Sequence, residues 1–550
     1  MSTEVPLLNV QIDGVWMQFP KGTRVIEACS QAGKFIPRYC YHPKLSAPGN
    51  CRMCMVEMGM PKMGPDRKPV LGADGRPEIA WIPRPQISCA QDVAEGMGIR
   101  TDSPMVQDCR KGVMEFLLIN HPLDCPICDQ AGECRLQEFS VEYGNASSRF
   151  LERKVKKPKN IELGPRVTLD AERCVLCSRC IRFMREVAKD DVLGFVDRGS
   201  FSTIACHPDK TLESNYSLNT VDICPVGALT SSDFRFKMRV WFLKETKSID
   251  VNDGLGCNIT IGSREDRIYR ITPRENNDVN GVWIPDSHRL NFKYLSADNR
   301  ISKPQIRAKD TSWDEALDAA VASLKALEGK IAMVASARLT NEELYLAKRI
   351  ASALHIECTE VVPRVGEPDG ILIPSDRNPN TAGAQLIGIT SGTPGGRLAA
   401  IREGTQSGKI QGLLCFGEDL TEAGFGDDSL RSLTTLVTTS LLSHATTAAS
   451  HVVLPGSGWA EKRGSMINIH NRLQRLNRAV QAPGECRDDW EILNALLERL
   501  QGPTALLSIE DVFRAMAQDY APFQGLSLSK IGDLGVPLPL QPAPETAKTA

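Results

Sequence analysis

Near its start the chain alternates, with Leu8, Val10 and Ile12 set against Asn9, Gln11 and Asp13; Asp13-Gly14 then precedes Val15 to Phe19, the pattern of a β-hairpin. A short helix is expected next. Thr23 can cap it, Val25, Ala28, Cys29 and Ala32 form its buried stripe, and Gly33 can end it in the left-handed conformation. Residues 59–85 hold six prolines and four glycines and predict a long surface excursion. From Met105 the period becomes helical, with Val106, Cys109, Val113, Phe116 and Leu117 on one face until Asn120-His121-Pro122 stops it. The basic stretch Arg149 to Lys159 reads as a solvated linker. Beyond about Lys247 a helical segment, 313–329, runs into the strand-like 330–336. Strand and helix patterns then alternate through LLCFGEDL and LTTLVTTSLLSHA to HVVLPGSG, which predicts a parallel sheet with helical crossovers. The proline-rich end has no apolar period and is expected to be disordered.

The 550 residues leave room for roughly three to five domains. Sixty-five basic and 67 acidic side chains nearly cancel at a net charge of -2, so no global field favours nucleic acid or anionic lipid. No uncharged apolar run approaches membrane-spanning length, and the first residues lack the blocks of a signal peptide. A soluble, intracellular chain is expected. The 18 cysteines change the picture, because only Cys358, Cys415 and Cys486 lie beyond Cys257. In a reducing compartment CxxC-type spacings mark metal or redox sites more often than disulfides.

Three ligand sets stand out. Cys40, Cys51, Cys54 and Cys89 follow the plant-type [2Fe–2S] order of a loop cysteine, a CxxC and a distant fourth, although the first gap is ten residues instead of four. His121, Cys125, Cys128 and Cys134 offer one imidazole and three thiolates, which suit a [4Fe–4S] cluster or a tetrahedral zinc ion. Cys174, Cys177 and Cys180 with Cys224-Pro225 form the triplet and remote Cys-Pro of a cubane site; the residue four past the triplet is Met184, so one cubane is expected there. Cys29 and Cys109 fall on apolar helix faces, and Cys206, Cys358, Cys415 and Cys486 have no spaced partner, so all six read as structural.

In this order the three sets resemble those of the large iron–sulfur subunit of bacterial NADH:quinone oxidoreductase, respiratory complex I. Residues 440–495 and WDEAL at 313–317 are similar to that family's molybdopterin-oxidoreductase-like domain. The resemblance implies a multidomain α+β and α/β chain: a β-grasp [2Fe–2S] ferredoxin-like domain (1–104), a His(Cys)3 [4Fe–4S] unit (105–144), a [4Fe–4S] ferredoxin-like domain (145–240), a degenerate fourth-cluster region (241–297), a scaffold domain (298–535) and a disordered tail (536–550). It implies an electron wire of one [2Fe–2S] and two [4Fe–4S] clusters, with no catalytic residue and no molybdopterin in this chain. Its partners would be the flavin-bearing, NADH-oxidising subunit and the quinone-side iron–sulfur subunits, at the cytoplasmic face of a bacterial inner membrane. Some relatives carry a fourth cubane where this chain has Asp250, Asp253, Cys257 and Pro285, so that cluster is expected to be absent and Cys257 a remnant thiol.

Two rival readings fit the residues less well. A formate dehydrogenase or hydrogenase catalytic subunit would need further metal-ligating cysteines in the last half, and a zinc-stapled binding protein would not need the triplet with its Cys-Pro.

Overall fold

Asp13 and Gly14 hold φ angles of +46° and +85°, the paired left-handed residues that let a two-residue turn follow the twist of its strands. They join strands Leu7–Ile12 and Val15–Pro20, which pair antiparallel. The computed structural model describes residues 5–540 and divides into two compact units at Phe242/Leu243.

In the first unit the hairpin joins a mixed sheet whose order is Val15–Pro20, Leu7–Ile12, Gly98–Arg100, Met55–Pro61 and Ile79–Trp81. Helix Val25–Gln31 lays Val25, Ile26, Ala28 and Cys29 onto it, closing a core with Val10, Ile12, Phe19 and Ile99. This is the expected β-grasp arrangement. Thr23 does not cap the helix, because its hydroxyl donates to the Pro20 carbonyl at 2.7 Å and Arg24 takes the N-cap position. Gly33 is left-handed as expected, at φ +74°. The excursion 59–85 folds back on the sheet, with bridges Met63–Pro69 and Leu71–Pro77 and its end, Ile79–Trp81, paired to Met55–Pro61.

Helix Pro104–Ile119 begins at Ser103, whose Oγ accepts the Val106 N–H. Its buried line is Val106, Arg110 and Met114, while Phe116 is 78% exposed, so the stripe drawn through Phe116 is wrong. The pattern misled because Arg110 counts as polar, yet its guanidinium is buried and donates to the Thr101 carbonyl at 2.9 Å. The stretch 149–159 is also more than a solvated linker. Lys154 donates to the Leu118 and Ile119 carbonyls that end this helix, and Lys157 donates to the Ser202 carbonyl. The rest of the unit is a three-stranded sheet of Ile161–Glu162, Val167–Leu169 and Leu229–Ser231, a hairpin of Leu193–Val196 with Thr203–Cys206, and helices Arg179–Glu186 and Asn219–Asp222.

The second unit opens with an antiparallel sheet of Lys244–Ile249, Asn258–Arg264 and Arg267–Pro273. Its larger sheet has seven strands, of which Val452–Pro455, Thr435–Ser440, Gly412–Phe416, Ile331–Ala335 and Cys358–Val361 run parallel. The central strand Ile331–Ala335 is apolar throughout because the side-chain period of two buries both of its faces. Ile331, Met333 and Ala335 enter the core on one face and Ala332 and Val334 the core on the other. Helices Trp313–Lys325 and Asn341–Ala353 both start in capping boxes, Ser312 with Glu315 and Thr340 with Glu343. Val536 and Pro537 pair with Leu473 and Arg472, so the disordered tail expected from 536 does not begin there; residues 541–550 lie outside the described residues.

Lys462 joins three segments of this unit, its ammonium lying 2.8 Å from Glu343 and 2.9 Å from Asp489 with all three buried. Removing the cation leaves two buried carboxylates opposed. Lys462→Met is expected to cost about 3–5 kcal/mol, read as faster amide exchange across 341–353 in the full chain; unchanged protection there would show that the ion cluster is not holding the helix.

Candidate metal centres

The first set comes together in the β-grasp domain. Cys40, Cys54 and Cys89 are buried and Cys51 is half-buried. The thiols touch one another: Cys40 pairs with Cys51 and Cys89, and Cys54 with Cys89. Hydrogen bonds from Cys51 and Cys89 hold the Cys40 thiol well below its ordinary range, and the Cys89 contact lowers Cys54. Those same bonds raise Cys51 and Cys89. Backbone N–H groups of Asn50 and Cys51 also face Cys40, as expected of a loop built to hold sulfur as the anion. Arg52, inside the CxxC, is left-handed at φ +62°.

The second set follows helix Pro104–Ile119. Asn120 ends the helix and accepts the Val155 N–H at 3.0 Å, which fixes the turn that presents His121. His121, Cys125, Cys128 and Cys134 all line one cavity of about 530 Å³, with Leu118, Ala131 and Leu136 among its apolar walls. Burial, reinforced by Arg173 and Lys154, lowers His121 to about 4. The imidazole is therefore neutral at physiological pH, the form that binds a metal. Cys134 sits at the N-cap of helix Arg135–Tyr143 and faces the N–H groups of Leu136 and Gln137.

In the third set, Cys174, Cys177, Cys180 and Cys224 line a single tight space of about 20 Å³ with Ile204, Val226 and Leu229. Leu176 and Ser178 adopt φ of +51° and +61°, an unfavourable backbone costing about 1–2 kcal/mol per residue. That double reversal is what lets three cysteines two apart face one point. Desolvation raises Cys174 to about 12 and Cys177 to about 11, and the N–H groups of Val226, Ala228 and Leu229 face Cys224.

All twelve expected ligand residues are thus gathered into three groups of four, and sulfur-rich donor sets of this kind suit iron–sulfur clusters. The spacings gave no sign of what joins the groups. Arg179 donates to the Tyr41 carbonyl at 2.6 Å and Arg182 to that of Cys40, so the helix carrying Cys180 grips the Cys40 loop. Asn50 donates to the Leu176 carbonyl at 3.2 Å. Arg173 binds Asp124 and Asp170, and Lys159 binds Asp124, Asp170 and Glu172, locking the His121 loop to the Cys174 loop. Gly227, three residues past Cys224, leaves only 2.2 Å between an added Cβ and the Cys128 sulfur.

The six unassigned thiols behave differently. Cys29 and Cys415 are buried and the other four half-buried; Cys206, Cys415 and Cys486 donate to the carbonyls of Leu163, Glu418 and Ile301. At the positions read from the sequence for a fourth cubane, Asp250, Asp253 and Cys257 are buried in the second unit.

Fold and sites define an iron–sulfur protein whose ferredoxin-type part is joined to a molybdopterin-oxidoreductase-type α/β domain. Family models match accordingly: a 2Fe-2S iron-sulfur cluster binding domain at 6–104, the NADH-ubiquinone oxidoreductase-G iron-sulfur binding region at 110–149, the ferredoxin-like domain of NADH-quinone oxidoreductase subunit 3 at 164–230, an NDSU1/NuoG-like 4Fe-4S domain at 243–293 and molybdopterin oxidoreductase at 377–499. Among whole proteins, the chain is similar to the G subunit of NADH-quinone oxidoreductase. It is 41% identical to that of Rickettsia felis over 353 residues, 63% of this chain and 49% of the relative. It is 45% identical over 316 residues to the mitochondrial NADH dehydrogenase [ubiquinone] iron-sulfur protein 1 of Solanum tuberosum, covering 56% of this chain and 40% of the relative. The resemblance seen in the cysteine spacings is borne out, and the aligned stretch is about half the length of the relatives it matches. No helix among the described residues is long and apolar enough to cross a membrane.

Two outcomes test this geometry. Gly227→Ala is expected to displace the Cys128 sulfur and remove about four irons per chain, the content of one cubane, while the other sites keep theirs; a full iron complement would show that the contact yields. His121→Cys exchanges a neutral ligand for an anionic one and is expected to lower that centre's reduction potential by on the order of 100 mV. A redox titration showing no change or a rise contradicts the assignment.

Proposed function

We propose that this chain is an electron-transfer subunit of an NADH:quinone oxidoreductase of the complex I type. The observation that carries the reading is the sequence of three four-residue donor sets within one folded unit, each tied to another by backbone or charged hydrogen bonds. In this reading Cys40, Cys51, Cys54 and Cys89 hold a [2Fe–2S] cluster; His121, Cys125, Cys128 and Cys134 hold a [4Fe–4S] cluster; and Cys174, Cys177, Cys180 and Cys224 hold a second one. Bound there, the clusters supply one-electron carriers.

The chain's own residues provide rigidity and charge compensation. Arg173, Arg179 and Arg182 lie within electrostatic reach of the cysteine sulfurs, offsetting negative charge that burial would otherwise expel. Left-handed residues in the loops fix the sulfur positions, so a change of oxidation state finds little to rearrange. No acid–base group is required at these sites. The flavin-bearing, NADH-oxidising subunit and the quinone-side iron–sulfur subunits are the partners, and the chain sits peripherally at the cytoplasmic face of a bacterial inner membrane. The α/β domain serves as a scaffold without molybdopterin, and no fourth cluster forms beside Cys257. The domain division set out from the sequence belongs to this reading except at its last boundary, since Val536 and Pro537 still pair within the second unit.

Iron and acid-labile sulfide on the anaerobically purified chain test it directly. About ten irons per chain, two plus four plus four, is the expected content, with no molybdenum and with electron paramagnetic resonance signals that appear on NADH addition only when the flavin-bearing subunit is present. Zinc in place of iron, or molybdenum together with formate oxidation by the chain alone, overturns it.

A further inference from the structure

Outside the three sulfur-rich sets, the described residues contain one further cluster of ligating side chains, and it stands where the fourth cubane of some relatives would be. Asp250 and Asp253 follow strand Lys244–Ile249, and His288 lies in the short helix Asp286–Arg289. Asp253 is wholly buried, Asp250 is 3% exposed and His288 8%. One donor atom from each lies within 4.8 Å of the other two.

Each carboxylate is anchored through one oxygen and offers the other. Asn252 donates to Oδ1 of Asp250 from both backbone and side chain, and the Leu255 N–H donates to Oδ1 of Asp253 at 2.9 Å. Both Oδ2 atoms face Nδ1 of His288, at 2.7 Å for Asp250 and 3.7 Å for Asp253. Oδ2 of Asp253 accepts no hydrogen bond although it is sealed from solvent. A buried carboxylate oxygen left in that state costs free energy that a cation would recover. Burial, reinforced by the neighbouring Asp250, pushes the Asp253 carboxyl up to about 7, as expected of a buried carboxyl short of positive charge. Arg377 contributes positive potential to the cluster, and its guanidinium donates to the Glu367 carbonyl.

We propose that Asp250, Asp253 and His288 form a binding site for one divalent transition-metal ion, zinc by preference. Two ligands each about 2.0–2.1 Å from a tetrahedral zinc stand roughly 3.3 Å apart, and the two measured separations bracket that value. The imidazole argues for a transition metal over magnesium or calcium, which favour oxygen alone. The Oδ1 contacts from Asn252 and Leu255 act as the outer hydrogen bonds that orient metal-binding carboxylates. The Cys257 thiol is buried within the field of both aspartates. The site would clamp residues 250–257 to the helix 286–289, replacing a redox cofactor with a structural one. The assignment stands on these residues whether or not the chain works in a respiratory complex.

The test uses the full chain with its clusters loaded, dialysed against Zn²⁺ and then against metal-free buffer, with zinc, iron and sulfide measured together. About one zinc per chain is expected in the wild type. Asp253→Asn and His288→Gln should each retain at least tenfold less, with iron and sulfide unchanged, while Asp314→Asn, an exposed carboxylate, retains it. Zinc K-edge absorption should show a shell of nitrogen and oxygen with no more than one sulfur. Equal zinc in wild type and variants, retention of Mg²⁺ or Ca²⁺ instead, or three or more sulfurs on the zinc would overturn the proposal. Should the variants fail to fold, the wild type decides alone: Zn²⁺ but not Mg²⁺ slows amide exchange across 250–257 and 286–289, and no slowing overturns it.

Discussion

A set of four thiolates concentrates negative charge in a space the fold has dried, and the first unit is arranged around that demand. Desolvation pushes Cys174, Cys177 and Cys180 upward, away from the anionic form a cluster requires. The answer is a belt of arginines and backbone N–H groups. Arg179 and Arg182 face Cys177 and Cys40, Arg173 faces Cys128, and the turn after Cys224 directs three N–H groups at its sulfur. The guanidinium groups also hold the loops together, so charge compensation and tertiary structure come from the same side chains.

The cysteine sets were legible because spacing and chemistry are both local: a CxxC or a CxxCxxC survives any tertiary context, and each set converges as its spacing implied. The hairpin was legible through Asp13-Gly14, and the parallel sheet through the alternation of strand and helix patterns after residue 313. Features that depend on partners distant in sequence were not. Arg110 falls outside the apolar stripe read for its helix, and its buried place depends on the Thr101 carbonyl that accepts from it. Arg182 reaches the carbonyl of Cys40 across 142 positions, and no period announces such a contact. His288 lies three residues past Pro285, outside the spacing of the lost thiols, so no motif pointed to it.

The second unit is held together by its own packing and hydrogen bonds. Its parallel sheet, capping boxes and buried Lys462 cluster all come from the chain's own residues. Its first part, with one cysteine at the four positions read for a fourth cluster, keeps an antiparallel sheet and a buried interior. Carboxylates in a dry interior are harder to keep than thiols, because they ionise far more readily. The burial of Asp250 and Asp253 is therefore the feature of this region that calls for a counter-charge.

The close approach of Gly227 to Cys128 bears on the order in which the protein can be made. Cys128 leaves the ribosome long before Gly227, yet its sulfur rests on a wall that the later segment supplies. The cavity around His121 is accordingly incomplete while the Cys224 turn is still being synthesised. Nearly a hundred residues must be closed into a loop before that wall exists, and the entropy of closure is offset only once Asp124, Asp170, Arg173 and Lys159 have met. The His121 site is therefore complete only once the Cys224 turn has been made, whereas all four cysteines of the β-grasp set lie before residue 90.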